Sequence, residues 1–217
     1  MASTEKSLLG VGPFWIAFWA IVLTGSLYFV YESVDYALYR DAGPAAEPIS
    51  ARRLVAYFHA AIAIPILFLA PLQFHPGIRQ RYPVVHRWTG RVFIIASILA
   101  ASFAIVLSFG YDPAASRPAL FVFGIVWIFF SLAAWLTVRR KDFVSHRKFM
   151  IRSVAVGFAF VWVRLMRVTE DWFLFFIEGD VMRLVAREYL CFIVPLLAVE
   201  IWLTYWPSLK RSLARQV

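Results

Sequence analysis

Charge is what this sequence has least of. Only 16% of its 217 residues are Asp, Glu, Lys or Arg, against about 25% in a soluble domain. Cysteine is nearly absent: Cys191 stands alone. That excludes an internal disulfide framework and any cysteine-ligated zinc or iron–sulfur site within one chain. The ten glycines form no phosphate-cradling loop, and no His-Glu-x-x-His cluster marks a zinc hydrolase. Ser/His/Asp chemistry has no local signature. Lysine is missing from the interior of every apolar run, since Lys141, Lys148 and Lys210 all lie in flanks, so a retinal Schiff base is excluded. A paired intramembrane carboxylate site for cations is not expected either, because Glu200 is read as standing alone within the membrane.

What is present is apolar. Hydrophobic residues make up 62% of the chain, with 21 Phe, 9 Trp and 9 Tyr. A globule of this size cannot hide so much apolar surface from water, so the solvent is lipid. The formal charge of +9 would suggest nucleic acid in a soluble protein. In a membrane protein it marks the cytoplasmic flanks instead, and no nucleic-acid partner is expected.

A run of about 20 apolar residues crosses a hydrocarbon core about 30 Å thick. Six runs qualify: 11–31, 54–74, 88–109, 119–138, 149–168 and 184–206. The expected fold is an all-α bundle of six transmembrane helices in one domain over 1–217, with no soluble domain. The first run is too long for a signal-peptide core and no small-residue cleavage site follows it, so it reads as a retained helix.

Flanking charge sets the orientation. Fourteen of the 22 basic residues fall on one side, from Lys6 through Arg79, Arg147 and Lys148 to Arg215. Ten of the thirteen acids fall on the other, from Glu32 to Glu188. Lysine and arginine favour the cytoplasm, so both termini are expected inside a bacterial inner membrane. The longest loop holds the 43–48 breaker cluster with Pro44 and Pro48. The apolar hexapeptide 172–177 is too short to span and is expected to lie in the outer interface.

Polar and ionisable groups inside a membrane are costly, so each is a functional candidate. Within the runs these are His59, Gln73, Arg152, Arg164 and Glu200. His86-Arg87-Trp88-Thr89-Gly90-Arg91 opens the third run, and His146-Arg147-Lys148-Phe149-Met150-Ile151-Arg152 opens the fifth. Both runs leave the cytoplasmic side, so His86 and His146 share a depth. Two such imidazoles suit a haem iron or another metal. Nearby Arg87, Arg91 and Arg152 suit propionates or other anionic groups. The plain alternative is interfacial anchoring to lipid phosphates.

His59 lies about five residues inside its run, roughly 8 Å below the outer boundary at about 1.5 Å per residue. It can bind iron, relay protons, or hydrogen-bond a carbonyl; Pro65 frees the carbonyl of Ala61 close by. Arg164 lies at a similar depth, and the two can face one cavity. Met166 is a soft ligand type, with core filler as the plainer role. Arg152 and Glu200 are expected to neutralise one another.

His59, then Ala70-Pro71-Leu72-Gln73-Phe74, Arg79, His86-Arg87-Trp88-Thr89-Gly90-Arg91, Ser145-His146-Arg147, Met150-Ile151-Arg152 and Arg164 together resemble domain of unknown function 2306, a group of bacterial polytopic membrane proteins. The resemblance covers roughly 55–168, with Ala70 where the signature carries glycine. It implies a fold and a residue set without a reaction. Its histidine-bearing helices look like those of small membrane cytochromes and oxidase-assembly factors, an analogy at the level of fold.

The leading functional expectation is a redox-related inner-membrane protein that binds b-type haem, or supports a haem- or quinone-using complex. His86 and His146 are its expected metal ligands; His59, Gln73, Arg87, Arg91, Arg152 and Arg164 complete the expected cofactor-binding set. The alternative is a non-enzymatic accessory or assembly subunit of a respiratory or photosynthetic complex, gripping lipids, pigments or partner helices. A transporter of a small anionic or lipid substrate ranks third, for want of an inverted repeat and of broken helices.

Overall fold

In the computed structural model, residues 13–35 and 50–214 are described, and they are helical with short connections. Residues 11 and 12 of the first expected span and the 43–48 breaker cluster lie outside the described residues. Nine α-helices follow in chain order among the described residues: α1 (Pro13–Asp35), α2 (Ala51–Phe74), α3 (Pro76–Arg81), α4 (Pro83–Ser108), α5 (Arg117–Arg139), α6 (Phe143–Gly157), α7 (Ala159–Phe173), α8 (Asp180–Glu200) and α9 (Trp206–Leu213).

Helices α2, α4, α5 and α6 pack as successive neighbours joined by short turns, so each runs antiparallel to the one before. α8 covers α6 and α7, and α1 lies against α2 and α7. The amino ends of α4 and α6 therefore meet the carboxyl ends of α2 and α5. This end carries Arg79, Arg87, Arg139, Arg140, Arg147 and Lys148 and is called the basic end below.

The sequence makes these faces by inverting the soluble pattern. On α5 the exposed positions Val122, Ile125, Phe129, Leu132 and Leu136 recur every three or four residues and form one apolar stripe. The opposite face is buried through Gly124, Trp127, Ser131 and Ala134. On α4, Val92, Ile95, Leu99 and Val106 face outward while Ser97, Ala100 and Ala101 are sealed. Small residues inside and large ones outside are how helices approach when lipid is the solvent. α2, α4, and α5 with its preceding 3₁₀ turn are each long and apolar enough to cross a membrane; α6 and α7 together make a fourth candidate.

That fourth candidate corrects an expectation. The run 149–168 reads as one straight helix, yet the chain bends by 46° between α6 and α7. Gly157 ends α6, and a Cβ there would sit 2.8 Å from Trp127 Cζ2, so no larger residue fits beside the indole. Phe158 then caps α6 by donating its N–H to Val154 O at 2.9 Å. The missing broken helix that counted against transport is thus present.

The last expected run also differs. α8 begins at Asp180, four residues before the expected start, and encloses Arg187 and Glu188. It continues through a π-helical turn, Ile201–Tyr205, into α9. Pro207 explains the wide turn: it has no N–H for the carbonyl of Leu203, and its ring pushes that carbonyl away.

Candidate functional site

Polar side chains gather at three levels of the bundle. At the basic end, Gln73 on α2 reaches Thr89 Oγ1 on α4 at 2.6 Å. With its amide turned over, its oxygen also accepts from Gly90 N–H at 3.1 Å and its nitrogen donates to His86 O at 3.3 Å. That orientation satisfies more of the group and is the one favoured. A Cβ on Gly90 would lie 2.9 Å from the end of the Gln73 amide, so the glycine of the His86–Arg91 segment makes room for this clasp. His86 and His146 lie near enough for their charges to interact. His146 Nδ1 sits 2.8 Å from Ala134 O on α5; a carbonyl only accepts, so Nδ1 carries a proton, and in the neutral imidazole Nε2 holds the lone pair. Arg91 stacks over Trp88 at 5.0 Å, and Arg87 is exposed.

The turn that presents His146 is itself capped. Asp142 Oδ1 accepts from Ser145 N–H at 3.0 Å, a carboxylate at a helix amino end. The Ser145 hydrogen bonds hold the Asp142 carboxyl below the usual aspartate range. Nearly two turns deeper, Arg152 donates through Nε to Glu200 Oε1 and through its terminal nitrogen to Oε2 at 2.9 Å. The expected pair is formed, and Arg152 is spent on it.

In the middle of the bundle, His59 is 7% exposed. Its Nδ1 donates to Ala100 O on α4 at 2.8 Å, so the carbonyl it serves lies across the helix interface and is not that of Ala61. Its ring meets Phe160 of α7 edge-on, with centroids 5.3 Å apart. Arg164 follows one turn later on the same helix, which puts His59 and Arg164 on facing elements. Met166 packs with the hydrophobic core. A third polar knot ties α5 to α6: Trp127 Nε1 donates to Ser153 Oγ at 3.2 Å, and Ser131 and Ser153 share a bond of 2.9 Å.

The opposite end holds groups absent from the sequence expectations. Tyr111, in the α4–α5 connection, donates its hydroxyl to Glu188 Oε1 on α8. Burial, then that bond and the carboxylate's charge, push the Tyr111 phenol well above its ordinary range. Arg187 pairs with Glu170 of α7. Arg187 and Glu188 are 8% and 6% exposed, and Glu188 Oε2 has no hydrogen-bond partner among the described residues. Arg183 reaches Asp171 at 2.9 Å and Ile177 O at 2.8 Å. A signal existed: both charges fall inside the run 184–206, where they count as intramembrane rather than flanking. Beyond the loop, Trp172, Phe175 and Phe176 are exposed while Leu174 is sealed, an aromatic knob suited to an interface.

Among the described residues no three His, Cys, Asp or Glu side chains converge as a metal group. The fit to a haem differs between histidines. At His59 it fails for want of room: the ring is buried and Phe160 lies edge-on against it, 5.3 Å between centroids. At the basic end the donor chemistry fits. The Nδ1–H bond of His146 to a backbone carbonyl is the support that metal-ligating histidines use, and Arg87 and Arg91 are near in sequence for carboxylates.

The family described as "Predicted membrane protein (DUF2306)" matches residues 56–203, and the chain belongs to it. The match runs beyond the expected 55–168 to take in Arg187, Glu188 and Glu200. No curated protein and no solved structure matches the chain.

Proposed function

We propose that this DUF2306 protein is a non-enzymatic accessory or assembly subunit of a larger bacterial inner-membrane complex. It crosses the bilayer six times with both termini cytoplasmic, the basic end facing the cytoplasm in line with its lysine and arginine excess. One observation supports the role above others: intramembrane polar side chains are joined helix to helix. His59 serves Ala100, Gln73 serves Thr89, Arg152 holds Glu200 and Arg187 holds Glu170. A neutral bond of this kind, as at His59 and Gln73, contributes about 0.6 kcal/mol in a membrane, and with the two ion pairs they fix one arrangement of helices. The outward stripes of Phe, Leu, Ile and Val on α4 and α5 give that rigid body its surface for partner helices. The test is purification of the tagged full chain from its own membrane in mild detergent, followed by native mass spectrometry. Stoichiometric partner subunits are expected. A lone monodisperse chain would refute the role.

A second reading keeps b-type haem at the basic end. His146 and His86 would hold the iron, and Arg87 and Arg91 the propionates, while the electron chemistry would be the haem's own. It is favoured by the tautomer that Ala134 imposes on His146. A reduced-minus-oxidised difference spectrum with haem supplied during expression decides it; the absence of a Soret or α-band signal ends it.

A further inference from the structure

A groove of about 460 Å³ opens at the basic end between α3, the first turns of α6 and the π-helical turn before α9. Its walls are of two kinds. Arg79, Arg147 and Lys148 supply three cations, while Ile151, Trp202 and Leu203 supply part of an apolar floor. The three cationic side chains are exposed and form no ion pair with the described residues. No carboxylate lines the groove. Of the acids on the packed elements, Glu200 is paired with Arg152 and bonded by Thr204, while Asp142, capped by the Ser145 N–H, lies within electrostatic reach of Lys148 but outside the groove lining.

We infer that this groove is a binding site for one anionic phospholipid, its phosphate held by Arg79, Arg147 and Lys148 and its upper acyl chain laid on Ile151, Trp202 and Leu203. Charge complementarity selects the occupant. A cluster of unpaired cations over an apolar floor, where helices leave the hydrocarbon, matches a charged head joined to a hydrocarbon chain. A soluble anion would leave the apolar floor wet, and a zwitterionic lipid would bring a choline cation against three others. The π turn contributes the shape. By taking an extra residue into one turn it sets Trp202 and Leu203 into the wall, and such turns recur at functional sites. The site stands independently of any partner subunit.

The experiment uses the full chain in detergent, titrated with dioleoyl phosphatidylglycerol, dioleoyl phosphatidylcholine or glycerol phosphate and read as adducts by native mass spectrometry. Wild type should bind phosphatidylglycerol at least about tenfold better than phosphatidylcholine and show no adduct with glycerol phosphate. Each cation near a membrane surface contributes about 1 kcal/mol, roughly fivefold, so Arg79→Gln/Arg147→Gln/Lys148→Gln should bring the two lipids near parity. Arg147→Gln/Lys148→Gln, confined to exposed side chains, repeats the test with less risk to α3. Arg139→Gln/Arg140→Gln, a basic pair outside the groove, should leave the preference intact. Equal lipid binding by wild type, an unchanged preference in the triple variant, or an equal loss in the Arg139/Arg140 control would overturn the site. Binding of glycerol phosphate as strong as that of the lipid would make it an anion site and overturn the lipid.

Discussion

His59 and Ala100 stand 41 residues apart in sequence, and the imidazole Nδ1–H of the first is bonded to the carbonyl of the second at 2.8 Å. The bond joins α2 to α4 at a point where Ala100 is fully sealed. His146 and Ala134 repeat the device between α6 and α5 at the same 2.8 Å. Two intramembrane or near-membrane histidines thus work as helix-to-helix donors, and the absence of a side chain beyond Cβ on each alanine lets the ring approach.

His59→Ala should therefore act on stability. Loss of the bond and of the ring packed on Phe160 is expected to cost about 1–3 kcal/mol, read as a lower melting temperature in detergent, with membrane insertion unchanged. A variant that melts like wild type would assign the imidazole to something other than Ala100.

Gly90 and Gln73 should show strong coupling. Gly90→Ala places a methyl against the Gln73 amide, where 2.9 Å is available, and overpacking of this kind costs about 1–3 kcal/mol. Adding Gln73→Ala removes the obstacle, so the double variant should be more stable than Gly90→Ala alone. Additive losses in thermal melts would show that the two do not meet.

The Arg152–Glu200 pair predicts a different pattern. Arg152→Met and Glu200→Met should each destabilise by about 1–3 kcal/mol, below the figure for a fully buried pair because the side chains are 14% and 34% exposed. The double change, which leaves no orphaned charge, should lie closer to wild type than either single change. Denaturation of the three variants side by side checks this.

Asp142 gives a pH dependence. Its carboxyl is held below the ordinary aspartate value of about 3.9 by the Ser145 hydrogen bonds. A depressed folded value means the cap's contribution is fully present above the unfolded value and is lost as pH falls through the folded one. Asp142→Ala should thus melt below wild type at neutral pH, and the gap should close only under acid. A gap that stays constant down to acid pH would show that the charge on Asp142 does not support α6.

The helical class, and the positions of α2, α4 and α5, are legible from run length alone, because a continuous apolar run admits one structure in lipid. The Arg152–Glu200 pair is legible for a related reason, since two costly charges on the same level find one another. The bend at Gly157–Phe158 is not: a single glycine in an apolar run is compatible with a straight helix, and only Trp127, 30 residues earlier, decides it. Arg187 and Glu188 fall just inside the run 184–206 but group with the charges of the outer flank. Their partners Glu170 and Tyr111 come from separate elements, and no spacing rule links them. For Gln73 the quoted motif marks the right residue, and the structure gives it a clasp on Thr89 and Gly90.

The central claim is that His59 and His146 are donors to neighbouring helices. Imidazole ¹⁵N NMR on histidine-labelled protein, purified from its own membrane, tests it most directly. The account predicts that His59 and His146 each carry the proton on Nδ1 and leave Nε2 as a free lone pair. An Nε2–H tautomer at either residue, or an Nε2 signal displaced by a bound metal at His59, would contradict it.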